Sequence, residues 1–274
     1  RQAENKGSIG PTTIDELVPA VEAFGNSILN LERSASLIVV AVAGNETAVV
    51  YPRAQQLTEW LGSGAPVDSS YFAHMLVLGV YELITRASSE SRLAAMASGF
   101  STALCLINRL LVAAQAGGVS ALPPQHYMER VEDQGVVAMM DSGGGVPKQS
   151  KLTAWSPRIL LVQASDDRAR DYNAMMNCTF AAIKNDVTVD ACYLATSPKD
   201  SSHFLEQVCD LTGGVFSAPS GMAQLGGALT EVLLAIFLAP RQIRPSLNLP
   251  SLSKVDFRAR CFETGEMVSI ATVC

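Results

Sequence analysis

"LEQVCDLTGGVF", residues 205–216, sets a cysteine beside an aspartate and then breaks the chain with two glycines before an apolar run. Two chemistries fit such a stretch: a reactive thiol with an acidic neighbour, or the joint where a helix hands over to a strand. Leu205, Val208 and Cys209 recur at helical spacing and Leu211–Thr212 continue it, so Cys209 reads as a small apolar group facing inward. Gly213 supplies a left-handed helix end, and Gly214 starts the turn into "VFSA". The joint is the better reading.

Outward from it the rhythm is regular. "PRILLVQAS" is strand, "RARDYNAMMNCTFAAIKN" helix, "VTVDACYLA" strand, "SSHFLEQVCDLTG" helix, "GVFSA" strand and "GMAQLGGALTEVLLAIFL" helix. Strands alternating with helices of this length are βαβ crossovers, which build a largely parallel sheet covered on both faces. Upstream, "SLIVVAVAG" (36–44) and "ETAVVYP" (46–52) flank Gly44–Asn45 and read as an antiparallel hairpin. A helix is expected from Asp15 to Arg33 with Thr13 as its cap and Pro19 in its first turns. Residues 53–70 read as a loop, 71–87 and 91–115 as helices, and 116–157 as a flexible insertion. Residues 1–240 then form one domain. Residues 241–274 form an extension: "RQIRPSLNLPSLSK" is Pro-spaced, and "VDFRARCF-ETGE-MVSIATVC" reads as a hairpin.

Composition narrows the classes. Of 274 residues 48% are hydrophobic and 17% charged, with mean hydropathy +0.22, which favours contact with a partner protein. A net charge of -6 argues against a broad phosphate-binding face, so direct nucleic-acid binding is not expected. No uninterrupted apolar run reaches the roughly 18 residues of a membrane span, and no signal peptide opens the chain. The cysteines are widely spaced without a CxxC pair, as in a nuclear or cytosolic protein with buried thiols.

Candidate chemistry is sparse. "GGGVPKQS" (143–150) fails as a phosphate loop, because Pro147 stands where a glycine N–H should wrap the phosphates. His74, His126 and His203 lie in unlike contexts, and His203 and Cys209 do not share a helix face. Asp166 and Asp167 fall after a parallel strand, where α/β sheets place ligands; capping of the next helix by Ser165 or Asp166 explains them as well. In that helix Tyr172, Met176, Thr179 and Ile183 make one stripe, and Met175, Cys178 and Ala182 widen it to roughly 200°. The wider edge makes Met175, Cys178 and Ala182 candidates for a partner-binding face.

"MNCTFAAIKNDVTVDAC" (176–192), "LEQVCDLTGGVF", "SGFSTALCLINR" (98–109) and "VDFRARCF…VC" (255–274), in this order, resemble von Willebrand A (vWA) domains. More narrowly they resemble the family of smaller vWA subunits of the transcription and DNA-repair factor TFIIH. The resemblance implies a Rossmann-like three-layer α/β sandwich, mostly parallel with one antiparallel edge hairpin and a short C-terminal β extension. It implies a nuclear, non-enzymatic scaffold that binds the zinc-containing vWA subunit of about 44 kDa and other TFIIH core subunits. Family members continue into a cysteine-rich zinc module. Cys274 would be its first ligand, and one thiolate cannot hold a zinc ion that takes four ligands, so no zinc is expected here. The vWA fold opens with a D-x-S-x-S strand, and no strand is readable before Leu37. Of the adhesion-site oxygens only Ser98 and Asp166 have counterparts, a weak divalent site. Metal-dependent ligand binding is therefore the alternative.

Overall fold

The computed structural model describes residues 11–31, 35–63, 71–87, 93–115, 156–194, 202–219 and 228–250, with short pieces at 255, 257–260 and 267–268. Its parallel sheet is built from β3 (Arg158–Gln163), β4 (Thr188–Tyr193) and β5 (Phe216–Ser217), in that order across the sheet. Arg158 pairs with Thr188 and Gln163 with Tyr193, while β5 joins through Ala191 and Phe216. All of β4 is buried, as a strand covered on both faces must be, and its sequence is accordingly an almost unbroken apolar run. Thr188 and Asp190 are its polar members.

The crossovers are helical, as expected. A 3₁₀ turn (Ala169–Asp171) leads into α5 (Tyr172–Lys184) between β3 and β4, and α6 (His203–Thr212) links β4 to β5. Helix α7 (Ala228–Val232) continues as a π-helical turn, Leu233–Phe237, whose Leu233 and Phe237 are buried one above the other. The hairpin of β1 (Val39–Ala43) and β2 (Glu46–Tyr51) closes through a two-residue turn with Gly44 at φ 57°, the conformation for which glycine is favoured at the first central position.

Helix α1 (Pro11–Leu31) starts earlier than expected. Pro11 opens it with a fixed φ suited to a first helical position, so Thr13 lies inside the first turn and does not cap it. Residues 54–63, expected as loop, form α2 (Ala54–Ser63): "AQQLTEWL" consists largely of good helix formers, and Leu57 buries against Leu106 and Leu110. Tertiary burial outweighs the glycines and proline that follow. Helices α3 (Phe72–Arg86) and α4 (Met96–Gln115) match their expected positions; residues 116–155 of the expected insertion lie outside the described residues.

Helix α4 has the length and apolarity of a membrane span. Its Phe100, Leu106 and Leu110 are nevertheless buried in the core, while Asn108 and Arg109 face outward. Helices α1, α3 and α7 cover one face of the sheets; α4, α5 and α6 cover the other. The C-terminal extension forms the expected hairpin, β6 (Ala259–Arg260) with β7 (Met267–Val268).

Candidate protein-binding surface and the two ends of the sheet

At the C-terminal end of β3 the acidic loop is closed by its own partners. Asp167 accepts hydrogen bonds from Gln163 Nε2 (3.0 Å), Ser202 Oγ (2.6 Å) and the Phe204 N–H (3.3 Å). Ser202 in turn accepts from the Leu205 N–H at 3.2 Å, so Asp167 and Ser202 together cap α6. The cap expected from Ser165 or Asp166 on the next helix does not form, since α5 has no side-chain cap; it is Asp167 that caps, and it caps α6. The tertiary partner lies 35–37 residues away and leaves no trace in local sequence. Asp166 accepts from the Tyr193 hydroxyl at 3.1 Å.

Arg168, 8% exposed, is the cation of this crest. Its Nη1 donates to Asn45 Oδ1 of the hairpin turn at 3.0 Å, and its Nε stands 3.6 Å from Asp171 Oδ2. Burial pushes the Asp171 carboxyl up, with Arg170 pulling it back. Gln163, Asp167, Arg168 and Asp171 surround a notch of about 10 Å³, room for one water at most. Calcium bound by protein oxygens takes at least six ligands; Asp166 and Asp167 are already engaged by hydroxyl, amide and N–H donors, and Asp171, whose Oδ2 accepts no hydrogen bond among the described residues, stands beside the Arg168 guanidinium. Ser98 is engaged elsewhere, accepting from the Thr47 hydroxyl at 2.9 Å. Among the described residues no three His, Cys, Asp or Glu side chains converge. The residues present do not fit a divalent cation. Cys274, expected as a first zinc ligand, lies outside the described residues.

The opposite end is held by arginines. Arg244 forks onto Asp190 at 2.7 and 2.6 Å, and Asp190 also accepts from the Val215 N–H at 2.9 Å. Arg158 donates to the carbonyls of Phe237, Leu238 and Ala239, satisfying the exit of the last helix. The chain past Pro240 is thus tied to the sheet across the boundary expected there.

The thiols carry packing, as the opening motif suggested. Cys209 is fully buried, and burial foremost pushes its thiol up, with the Asp190 charge adding to it. Gly213 stands at φ 69°, the expected left-handed cap. Leu211, however, is exposed, one step off the inward face.

The candidate binding residues separate by burial. Met175 (1% exposed) and Ala182 (0%) pack into this chain's own core, and Cys178 leans on α4 with its Sγ 4.0 Å from the Ala97 carbonyl. That face meets the sheet and α4, so it cannot also meet a partner; the expectation is corrected. The apolar side chains α5 does present are Phe180 (59%) and Ile183 (45%), beside Leu211 of the neighbouring α6. The wide stripe contained Ile183 but assigned the outer edge to the wrong side of the helix.

A parallel α/β sheet between helical layers, with an antiparallel hairpin beside it, is the arrangement of a vWA-type domain. A family model described as transcription factor Tfb4 matches residues 2–274, and the chain belongs to that family. It is 28% identical over 274 residues to the "General transcription and DNA repair factor IIH subunit TFB4" of Arabidopsis thaliana, across 96% of this chain and 76% of that protein. It is 39% identical over 118 residues to the "General transcription factor IIH subunit 3" of Dictyostelium discoideum, across 43% of this chain and 30% of that protein. The Yarrowia lipolytica TFB4 subunit is 38% identical over 117 residues, 42% of this chain and 34% of its own length. The chain thus spans about a third of several of the relatives it matches. The crystal structure of the TFIIH p34 N-terminal domain superposes with a TM-score of 0.55 at 18% identity, over 81% of this chain and 85% of that one; it shares the fold.

Proposed function

We propose that the chain is a non-catalytic structural subunit of TFIIH, acting in the nucleus in transcription initiation and nucleotide-excision repair. In this reading it binds the zinc-containing vWA subunit and other core subunits, touches no nucleic acid directly, and needs no metal of its own. The family match across residues 2–274 carries the proposal. Two features of the site support it. Cys209, the thiol beside an aspartate in the opening motif, is buried and protonated, which removes it as a nucleophile. Phe180 and Ile183 offer a rigid helical apolar face of the kind that anchors protein interfaces. Metal-dependent ligand binding is not favoured by a crest in which Asp167 is taken up by three donors and the Arg168 guanidinium stands beside Asp171.

Co-purification with the zinc-containing vWA subunit tests the proposal. The unmodified chain is expected to retain the partner, Phe180→Asp to lose at least about 30-fold in affinity if this face is a hot spot, and Glu82→Lys on the opposite layer to change little. No retention by the unmodified chain sinks the scaffold reading; retention by Phe180→Asp moves the interface elsewhere.

A further inference from the structure

Two thiols meet along the groove between α4 and α5. Cys178 of α5 lays its Sγ 4.0 Å from the Ala97 carbonyl of α4. Ala97, Ser101 and Cys105 stand four residues apart on α4 and so line one ridge, each turn rising about 5.4 Å. Helical side chains lean toward the N-terminus of their own helix, which tips the Cys105 sulfur back toward Ser101 and Cys178. Cys178 feels both neighbours: burial foremost pushes its thiol up, Cys105 adds to that, and a hydrogen bond with Ser101 pulls it back.

The groove suits a covalent bridge. A disulfide joins Cα atoms about 4.4–6.8 Å apart. The backbones of α4 and α5 already approach within 8 Å. Side chains around the pair are small: Ser101 precedes Cys105 by one turn, and Ala174 and Ala181 stand a turn to either side of Cys178. Helix separation follows the size of the side chains at the contact, so this stretch permits close approach, and rotation of the two χ1 angles brings the sulfurs together.

Access divides the roles of the two thiols. Cys105 is exposed and Cys178 half-buried. Cys192 and Cys209 are fully buried, in separate parts of the core. Of these four, Cys105 is the thiol an oxidant in solution reaches, and Cys178 is the one placed to resolve the product.

We infer that Cys105 and Cys178 are a peroxide-responsive pair that closes to a disulfide between α4 and α5. In the first step the Cys105 thiolate attacks one oxygen of hydrogen peroxide; the O–O bond breaks, hydroxide leaves, and Cys105 becomes a sulfenic acid. In the second the Cys178 sulfur attacks the Cys105 sulfur as its own proton is lost; the S–O bond breaks, water leaves, and the S–S bond forms. Two thiols and one peroxide thus give one disulfide and two waters. The inference does not rest on the scaffold reading. Phe180 lies about 200° around α5 from Cys178, so partner binding and oxidation are tested on different flanks of the helix.

Hydrogen peroxide added stepwise to the reduced full chain, followed by alkylation of the free thiols and peptide mapping without reductant, provides the test. The expected product is a peptide pair joined through Cys105 and Cys178 within one chain, with Cys192 and Cys209 still free. Cys178→Ser should form no bridge and should accumulate a Cys105 sulfenic acid that dimedone traps at least about tenfold more than in the unmodified chain. Cys105→Ser, a change on the surface, should leave Cys178 reduced at the same peroxide dose. Joining of Cys105 to Cys261, to Cys274 or to a second chain, or equal dimedone labelling with and without Cys178, would overturn the inference.

Discussion

Replacing Arg244 by methionine isolates a single buried charge. The side chains of Asp190 and Arg244 are 1% and 9% exposed, and among the described residues the carboxylate is held by the fork from Arg244 and the Val215 N–H. Arg244→Met keeps much of the side-chain length but strands the carboxylate beneath the sheet. Removing one member of such a pair costs about 3–5 kcal/mol, because the remaining charge stays desolvated. For a domain of this size that is a fall of roughly 10 °C in Tm, at about 2–4 °C per kcal/mol. The double variant Asp190→Leu/Arg244→Met should recover most of the loss, since an apolar pair needs no solvation. It retains a deficit of about 1–3 kcal/mol, the cost of the orphaned Val215 N–H. Urea denaturation of wild type, both single variants and the double variant gives the coupling directly, and protease cleavage after Arg241 reports whether the chain past Pro240 has come loose. A loss below about 1 kcal/mol for Arg244→Met, or additive single effects, would refute the reasoning.

Other outcomes follow from the same packing. Gly214→Ala drives a Cβ into the Val189 carbonyl oxygen and to 2.6 Å from its carbon, so β5 must separate from β4; a loss of about 3 kcal/mol is expected by thermal melting. Among the described thiols, alkylation at pH 8 should modify exposed Cys105 first and reach Cys192 and Cys209 only on unfolding. Burial pushes Cys192 up to about 12 from an ordinary 9.0, so the folded state holds a proton that the unfolded state releases. Stability should be unaffected by this group below pH 9 and fall as pH rises from 9 toward 12, measurable as a declining urea midpoint. Asp167→Ala removes the α6 cap and should cost about 1–2 kcal/mol, with no change in the calorimetric response to magnesium.

How much of this was legible in sequence depends on how local the cause is. The αL glycine at 213, the hairpin around Gly44 and the βα alternation each follow from a few adjacent residues, and each stands where it was expected. The readings that failed depend on distant groups. Asp167 caps a helix that starts at His203, Leu57 needs Leu106 and Leu110 to make residues 54–63 helical, and Asp190 becomes tolerable in a buried strand only through Arg244. An aspartate in the middle of "VTVDACY" was itself a signal. An uncompensated charge there is too costly to keep, so a cation or a set of hydrogen-bond donors elsewhere in the fold had to meet it.

The misplaced binding face has a related cause. On α5 the apolar positions extend around so much of the helix that periodicity alone does not say which part faces the sheet. Seam positions Met175, Thr179 and Ala182 follow the i, i+4, i+7 pattern, and a threonine at their centre dilutes the apolar signal. Thr179 satisfies its hydroxyl within the helix, donating to the Met175 carbonyl at 2.8 Å, and so can be buried without any outside partner. Once Thr179 is counted as inward, Phe180 is forced outward by the 100° step between neighbours, and Ile183 lies three residues on, over the same surface. A large aromatic held exposed by its helix's own geometry can be changed without breaking the fold, so under the proposed scaffold reading Phe180→Asp is expected to weaken partner binding and leave the melting temperature unchanged. Met175→Asp should abolish both fold and binding.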